Sequence, residues 1–235
     1  MSSQTIIMLL VALGGPVVVA GGVWYWCRRP FGPGAFTLAF FLGALVVLPA
    51  IRLGNGVEPS IAGLIEHYYL NELIGQFLTT ALPEELGKGL VALLMIWILR
   101  KTPAPLTWLA AGAVSYCGFA CLEGMLGALG NEGLLKTLLG RSIGACFHCS
   151  WGIIMTWFAW KGWQQGQSRF WTWPFALLVP TALHTIGNAS LMEIPPGANE
   201  HLPVLSGMAA GLITLTLAGR SLYAARRVPT LDGAR

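Results

Sequence analysis

Eight polar residues stand within otherwise apolar stretches of this chain: Glu84, Glu85 and Lys88, then Glu123, then Arg141 and His148, then His184 and Asn188. Ionisable groups inside a bilayer cost several kcal/mol each and as a rule face a protein interior or a wet cavity. A chain that keeps Glu84, Glu85 and Lys88 side by side is therefore expected to use them. On a helix Lys88 follows Glu84 by four positions and Glu85 by three, so it can pair with either carboxylate. Adjacent helical residues diverge by about 100°, which leaves the other glutamate facing elsewhere. A carboxylate beside an ammonium can be poised as a base. The plain alternative is an ion pair that tolerates burial, with acidic residues in a first turn where the helix dipole favours them.

The other polar residues have plain alternatives too. His184 and Asn188 share a helix face, and polar pairs of that kind also hold membrane helices together. His148 taken alone reads as an interior histidine, Glu123 as interfacial, and Arg141 as a side chain snorkelling to the headgroups. Cys149 beside His148 does not make a thiol–imidazole dyad, because neighbours on a helix diverge. The Asn188-Ala-Ser190 sequon lies within an apolar span and is set aside.

These residues need membrane helices to hold them. The chain is 55% hydrophobic and 10% charged, with mean hydropathy +0.65, far from the quarter charged of soluble domains. An all-α polytopic helix bundle is expected, filling residues 1–235 as a single integral membrane domain with no room for a separate soluble one. About seven transmembrane helices are read, at 6–26, 35–51, 80–99, 106–129, 141–160, 171–192 and 204–223. The first reads as a retained span and not a removed signal. Gly54-Asn-Gly56 reads as the start of a polar loop. Residues 60–73, with Ile61, Leu64, Ile65, Tyr68 and Tyr69 at helical spacing, read as an amphipathic helix in the membrane interface. Residues 224–235 read as a short, disordered cytoplasmic tail. Five cysteines, mostly in apolar segments, read as small buried hydrophobes and not as a disulfide or metal framework.

Basic residues at the span ends alternate sides without a break. Arg28 and Arg29, Arg100 and Lys101, Lys161 and Arg169, and the tail arginines fall on one side, with Glu58, Glu66, Glu72, Glu132, Glu193 and Glu200 on the other. The positive-inside rule then puts the amino terminus outside and the carboxyl terminus in the cytoplasm. The positive charge is thus spent on orientation and points to no nucleic acid. At 1.5 Å per residue above the cytoplasmic boundary, Glu84 lies at roughly 24 Å, Lys88 at roughly 18 Å and Glu123 at roughly 27 Å. His148 and His184 both come at roughly 20 Å, Asn188 at roughly 26 Å and Arg141 at roughly 30 Å. Four spans thus put their polar groups in one layer, towards the outer face of a hydrocarbon core about 30 Å thick.

Glu84-Glu85-x-x-Lys88, Gly118-Phe119-Ala-x-x-Glu123, Arg141 with His148, and His184-x-x-x-Asn188 occur in an order and spacing that resembles the PrsW family of intramembrane glutamic proteases. That family is related to CAAX prenyl endopeptidases and bacteriocin-processing proteins. The resemblance covers a motif-bearing core at residues 83–190. Gly124 departs from it, where the family commonly has Asn after the glutamate. The resemblance implies that Glu84 activates a water, that His148 orients it, and that His184 and Asn188 stabilise the oxyanion. Glu85 and Lys88 would tune Glu84, and Glu123 and Arg141 would complete the network. Residue types alone do not choose Glu84 over Glu85. The implied reaction is hydrolysis of a single-pass membrane protein, such as an anti-sigma factor, near the extracytoplasmic face of a bacterial cytoplasmic membrane, without cofactor or metal. Residues 60–73 would then be placed to gate the substrate.

Three other readings compete. A zinc protease would take His148, His184 and a glutamate as ligands, although no HExxH is present. A non-catalytic scaffold would keep the network for packing. An ion-coupled transporter would use a Glu/His relay, against which the lack of a repeat argues.

Overall fold

The computed structural model describes residues 3–61, 67–99, 104–130, 140–166, 169–191 and 201–228, and among these the chain is helical with no strand. In chain order the elements are α1 (Ser3–Trp26), α2 (Pro33–Leu45), α3 (Val47–Ile61), α4 (Tyr68–Gly75), a π-helical stretch (Gln76–Ala81), α5 (Leu82–Leu99), α6 (Pro105–Leu129), α7 (Ser142–Gln164), α8 (Arg169–Ala189) and α9 (His201–Arg227). Prolines open α2 and α6 at their first turns, where the missing N–H would have had no helical partner.

α6 is the axis of the bundle. Its apolar window is 78% buried, against 22% for those of α1 and α9. Small residues let its neighbours approach backbone to backbone. A methyl group on Gly118 would lie 1.9 Å from the Phe40 carbonyl oxygen of α2, and one on Gly112 would lie 2.3 Å from that of Gly152 on α7. The core around α6 contains Leu109, Tyr116, Ile154 and Trp157, with Met95 from α5.

Among the described residues, four helical stretches are long and apolar enough to cross a membrane: 3–26, 33–57, 105–129 and 201–227. The remaining three rods, α4 to α5, α7 and α8, carry most of the polar residues singled out above. The same substitutions that make these rods chemically capable thus lower their apolar signal.

Three expectations change in detail. Gly54 to Gly56 do not start a loop, since α3 runs through them to Ile61. Gly54 instead permits close packing, because a methyl there would meet the Thr79 carbonyl oxygen at 1.8 Å. The interfacial helix expected at 60–73 is not a separate element in its described part. Residues 62–66 lie outside the described residues, and from Tyr68 the chain runs through the π-helical stretch straight into α5. The tail is helical as far as Arg227. Arg226 stacks on the Trp26 ring at 3.6 Å and donates to the Trp26 carbonyl at 3.0 Å, which ties the end of α9 to the end of α1. Residues 229–235 lie outside the described part.

Candidate active site

Pro83 sets the site up. A proline lacks the N–H that would bond back four residues to Thr79. The turn before it widens into a π-helix, the form in which single-turn bulges often mark functional positions. The Leu82 N–H reaches back five residues to the Phe77 carbonyl, and the freed turn packs on Gly54. Glu84 and Glu85 then emerge in the first turn of α5, buried and pointing inward.

All eight residues singled out in the sequence meet in one connected network. Arg141, at the N-cap of α7, donates through Nη1 to Glu123 Oε1 at 2.9 Å. Glu123 Oε2 lies 3.1 Å from His148 Nε2, and His148 Nδ1 lies 3.2 Å from Lys88 Nζ. Lys88 reaches Glu84 Oε2 at 3.2 Å and Glu85 Oε1 at 2.6 Å. Glu85 Oε1 also lies 2.9 Å from His184 Nδ1, and His184 Nε2 is 3.1 Å from Asn188 Nδ2. The chain of contacts therefore runs across α5, α6, α7 and α8 without a gap.

The network assigns the imidazole protons. An ammonium can only donate, so His148 Nδ1 accepts from Lys88 and Nε2–H donates to Glu123. Glu85 is ion-paired, so His184 Nδ1–H donates to it and Nε2 presents a lone pair to Asn188. That lone pair also faces Glu84 Oε2 at 3.8 Å. A carboxamide turned through 180° would accept from a protonated Nε2 just as well, so Asn188 serves His184 in either state.

The two adjacent glutamates differ. The Glu85 side chain is fully buried, with one oxygen held by both Lys88 and His184. The Glu84 side chain retains 12% exposure and shares only Oε2 with Lys88. Lys88 itself is fully buried, with its ammonium 4.4 Å from the Phe119 ring centre and within 6 Å of the Tyr116 and Trp151 rings. Cation–π contact of this kind helps to hold a desolvated charge.

The aromatic residues were not singled out beforehand. Trp151 stacks on His184 with ring centres 4.3 Å apart, meets His148 edge-on at 5.0 Å, and donates through Nε1 to Thr214 of α9 at 3.3 Å. Its i+3 spacing from His148 was the available signal. Phe119 stands within the Gly118-Phe119 motif, and contact with Lys88 and His148 gives it a role. Gly124 has its own explanation, since a methyl there would lie 3.3 Å from Ala12 Cβ, so α1 fills the space a larger side chain would need.

A family model described as PrsW family intramembrane metalloprotease matches residues 33–216. The chain belongs to the PrsW family. No match was found among curated proteins or among solved structures. PrsW membership makes this an intramembrane protease family member acting in a lipid bilayer, and its description raises the question of a metal.

The donor types fit a divalent ion. Glu84, Glu123 and His148 each offer one ligand atom, all within 4.8 Å of one another, and carboxylate with imidazole is a set that zinc accepts. His184, expected as a zinc ligand in the rival reading, stands outside this group, with its two nitrogens turned to Glu85 and Asn188. The Lys88 ammonium lies 3.2 Å from both Glu84 Oε2 and His148 Nδ1, so a positive charge already sits beside the donors.

Proposed function

We propose that the chain is an intramembrane endopeptidase in which Glu84 activates a water to hydrolyse a peptide bond of a single-pass membrane protein, for example one like an anti-sigma factor. The observation that carries this reading is the unbroken polar network from Arg141 to Asn188, built on four helices and backed by aromatic rings. A water among Glu84, Glu123 and His148 would be oriented by two groups and deprotonated by the third. Glu84 is the better base, because Glu85 is sequestered by Lys88 and His184 whereas Glu84 keeps an oxygen clear of Lys88. The base takes the water proton as the hydroxide adds to the carbonyl carbon, and returns it to the departing amine. The Asn188 carboxamide, held by the His184 Nε2 lone pair, then turns its second N–H to the oxyanion, in a site from which bulk water is largely excluded.

The reaction would take place towards the extracytoplasmic side of a bacterial cytoplasmic membrane, in a bundle of seven crossings with its amino terminus outside. The helical depth of the site residues and the distribution of charged loops support that placement.

A second reading rests on the Glu84–Glu123–His148 group, which would hold a divalent metal. Such an ion supplies Lewis-acid polarisation of the scissile carbonyl. In that case Lys88 would still hold Glu85, and His184 with Asn188 would still face the substrate. Co-expression with a single-pass substrate tests the main reading. Glu84→Gln should abolish product while the protein accumulates normally, as should His148→Ala and His184→Ala. Undiminished cleavage by Glu84→Gln would overturn it.

A further inference from the structure

A cleft of about 780 Å³ opens from the polar network between α7, α8 and α9. One end is made by Glu123, Arg141, His148, His184 and Asn188, and the rest is mostly apolar. Its outer wall includes Ile143 of α7 with Met208 and Leu212 of α9, and the two α9 residues are 68% and 70% exposed. Apolar side chains that line a cleft and also face outward, in a helix apolar enough to cross a membrane, place its mouth against lipid.

Glycines widen the inner end. Gly140 and Gly144 on the α7 side and Gly187 on α8 all line the cleft, and a methyl group on any of them would meet nothing within 4 Å. Helix packing therefore does not require these glycines, in contrast to Gly112 or Gly118. Glycine also weakens a helix relative to alanine. Gly140 adjoins Arg141, Gly144 stands one helical turn before His148 and Gly187 adjoins Asn188, so their lack of side chains keeps space free next to the site.

We propose that this cleft receives the apolar membrane segment of a single-pass substrate sideways from the lipid, between α7 and α9, with Gly144 and Gly187 leaving room for the side chain beside the bond to be cut. This rests on the proteolytic reading above. The occupant is a peptide and not an acyl chain because the polar part of the cleft lining bears hydrogen-bonding groups. A membrane segment unwound for cleavage has backbone N–H and C=O groups that must find partners, and an acyl chain has none to offer.

The experiment uses the full chain in phosphatidylethanolamine/phosphatidylglycerol liposomes with a synthetic single-span Leu/Ala peptide. The peptide carries a glycine and a diazirine side chain near its outer end, and crosslinks are mapped by mass spectrometry. Labelling should concentrate on α7 and α9 around Ile143, Met208 and Leu212, and should persist in Glu84→Gln. It should be lost in Gly144→Leu and in Gly187→Leu while both variants melt at or above the wild-type temperature. Labelling spread over α1 and α2, or undiminished by both leucines, would overturn the proposal. So would labelling of the cleft by a diazirine phospholipid that the peptide fails to displace. Peptide that docks in the cleft but is not cut by the wild type would leave docking standing and count against the protease reading alone.

Discussion

Replacing Lys88 by methionine isolates what the buried ammonium contributes. Lys88 and Glu85 are both fully buried at 2.6 Å, and Glu84 Oε2 lies 3.2 Å from the same nitrogen. No solvent screening softens the loss. Removing one partner of a buried pair costs about 3–5 kcal/mol, because the remaining charge is left without compensation. For a chain of this size each kcal/mol shifts the melting temperature by about 2–4 °C, so Lys88→Met should melt roughly 6–20 °C lower. Glu85→Gln combined with Lys88→Met removes one charge of each sign and should recover most of that loss, since buried pairs themselves add little net stability. Activity should not return, because Glu84 and His148 have lost the ammonium that positions them. Cys27, Cys117, Cys121 and Cys149 are buried free thiols, so a thiol-reactive dye reports unfolding in detergent directly. Melting of Lys88→Met at the wild-type temperature, or a double variant less stable than the single one, would refute this account of the charges.

Three further outcomes are expected. Gly54→Ala puts a methyl 1.8 Å from the Thr79 carbonyl, and overpacking of this kind costs about 1–3 kcal/mol. The melt should fall accordingly, and cleavage should fall more, because the displaced turn is the one that aims Glu84. Trp151→Phe keeps a ring against His184 but loses the bond to Thr214, so a co-expressed substrate should be cut more slowly than by wild type and faster than by Trp151→Ala, with comparable protein levels for the phenylalanine variant. Dialysis against a chelator should leave the cleavage rate of the purified protein unchanged; loss of activity restored by zinc would favour the metal reading of Glu84, Glu123 and His148 instead.

The site was legible in the sequence because burying charge in a membrane is costly enough to be informative. Each of the eight residues was visible as a polar interruption of an apolar run, and helical rise alone put them at similar depth. The partner of each group was not legible. Whether Lys88 chose Glu84 or Glu85 depends on the side-chain rotamers, and it proves to hold both, with Glu85 the closer. The π-helical turn was missed because its cause, Pro83, was read only as part of an apolar segment. Gly54 was misread because glycine marks loops and close helix contacts alike, and only the neighbour at Thr79 separates the two. Trp151 was hidden among the many tryptophans of a membrane chain, where an interfacial role is the ordinary explanation.

The two classes of glycine also divide the bundle mechanically. Gly43, Gly112 and Gly118 bring α2 and α7 against α6 at distances where even a methyl would strike backbone. Backbone contacts of that kind cannot be relieved by rotating a side chain, so Glu123 and His148 stand on a fixed frame, as the proposed catalysis would require. α9 is held differently: Gly211 faces the Phe147 ring, which can swing aside, and Gly207 faces the Ser190 side chain, so side chains and not backbone are the nearest neighbours. Its hydrogen bonds to the rest include the contact between Tyr69 and Ser206, 2.5 Å long, and that between Trp151 and Thr214. Ser206 already donates to the Pro203 carbonyl, so Tyr69 must be the donor across the gap. A wall held by side chains can yield to an incoming segment while the frame behind it keeps its geometry. Because Trp151 touches both, through Thr214 on one side and His184 on the other, a displacement of α9 would bear on the His184 imidazole.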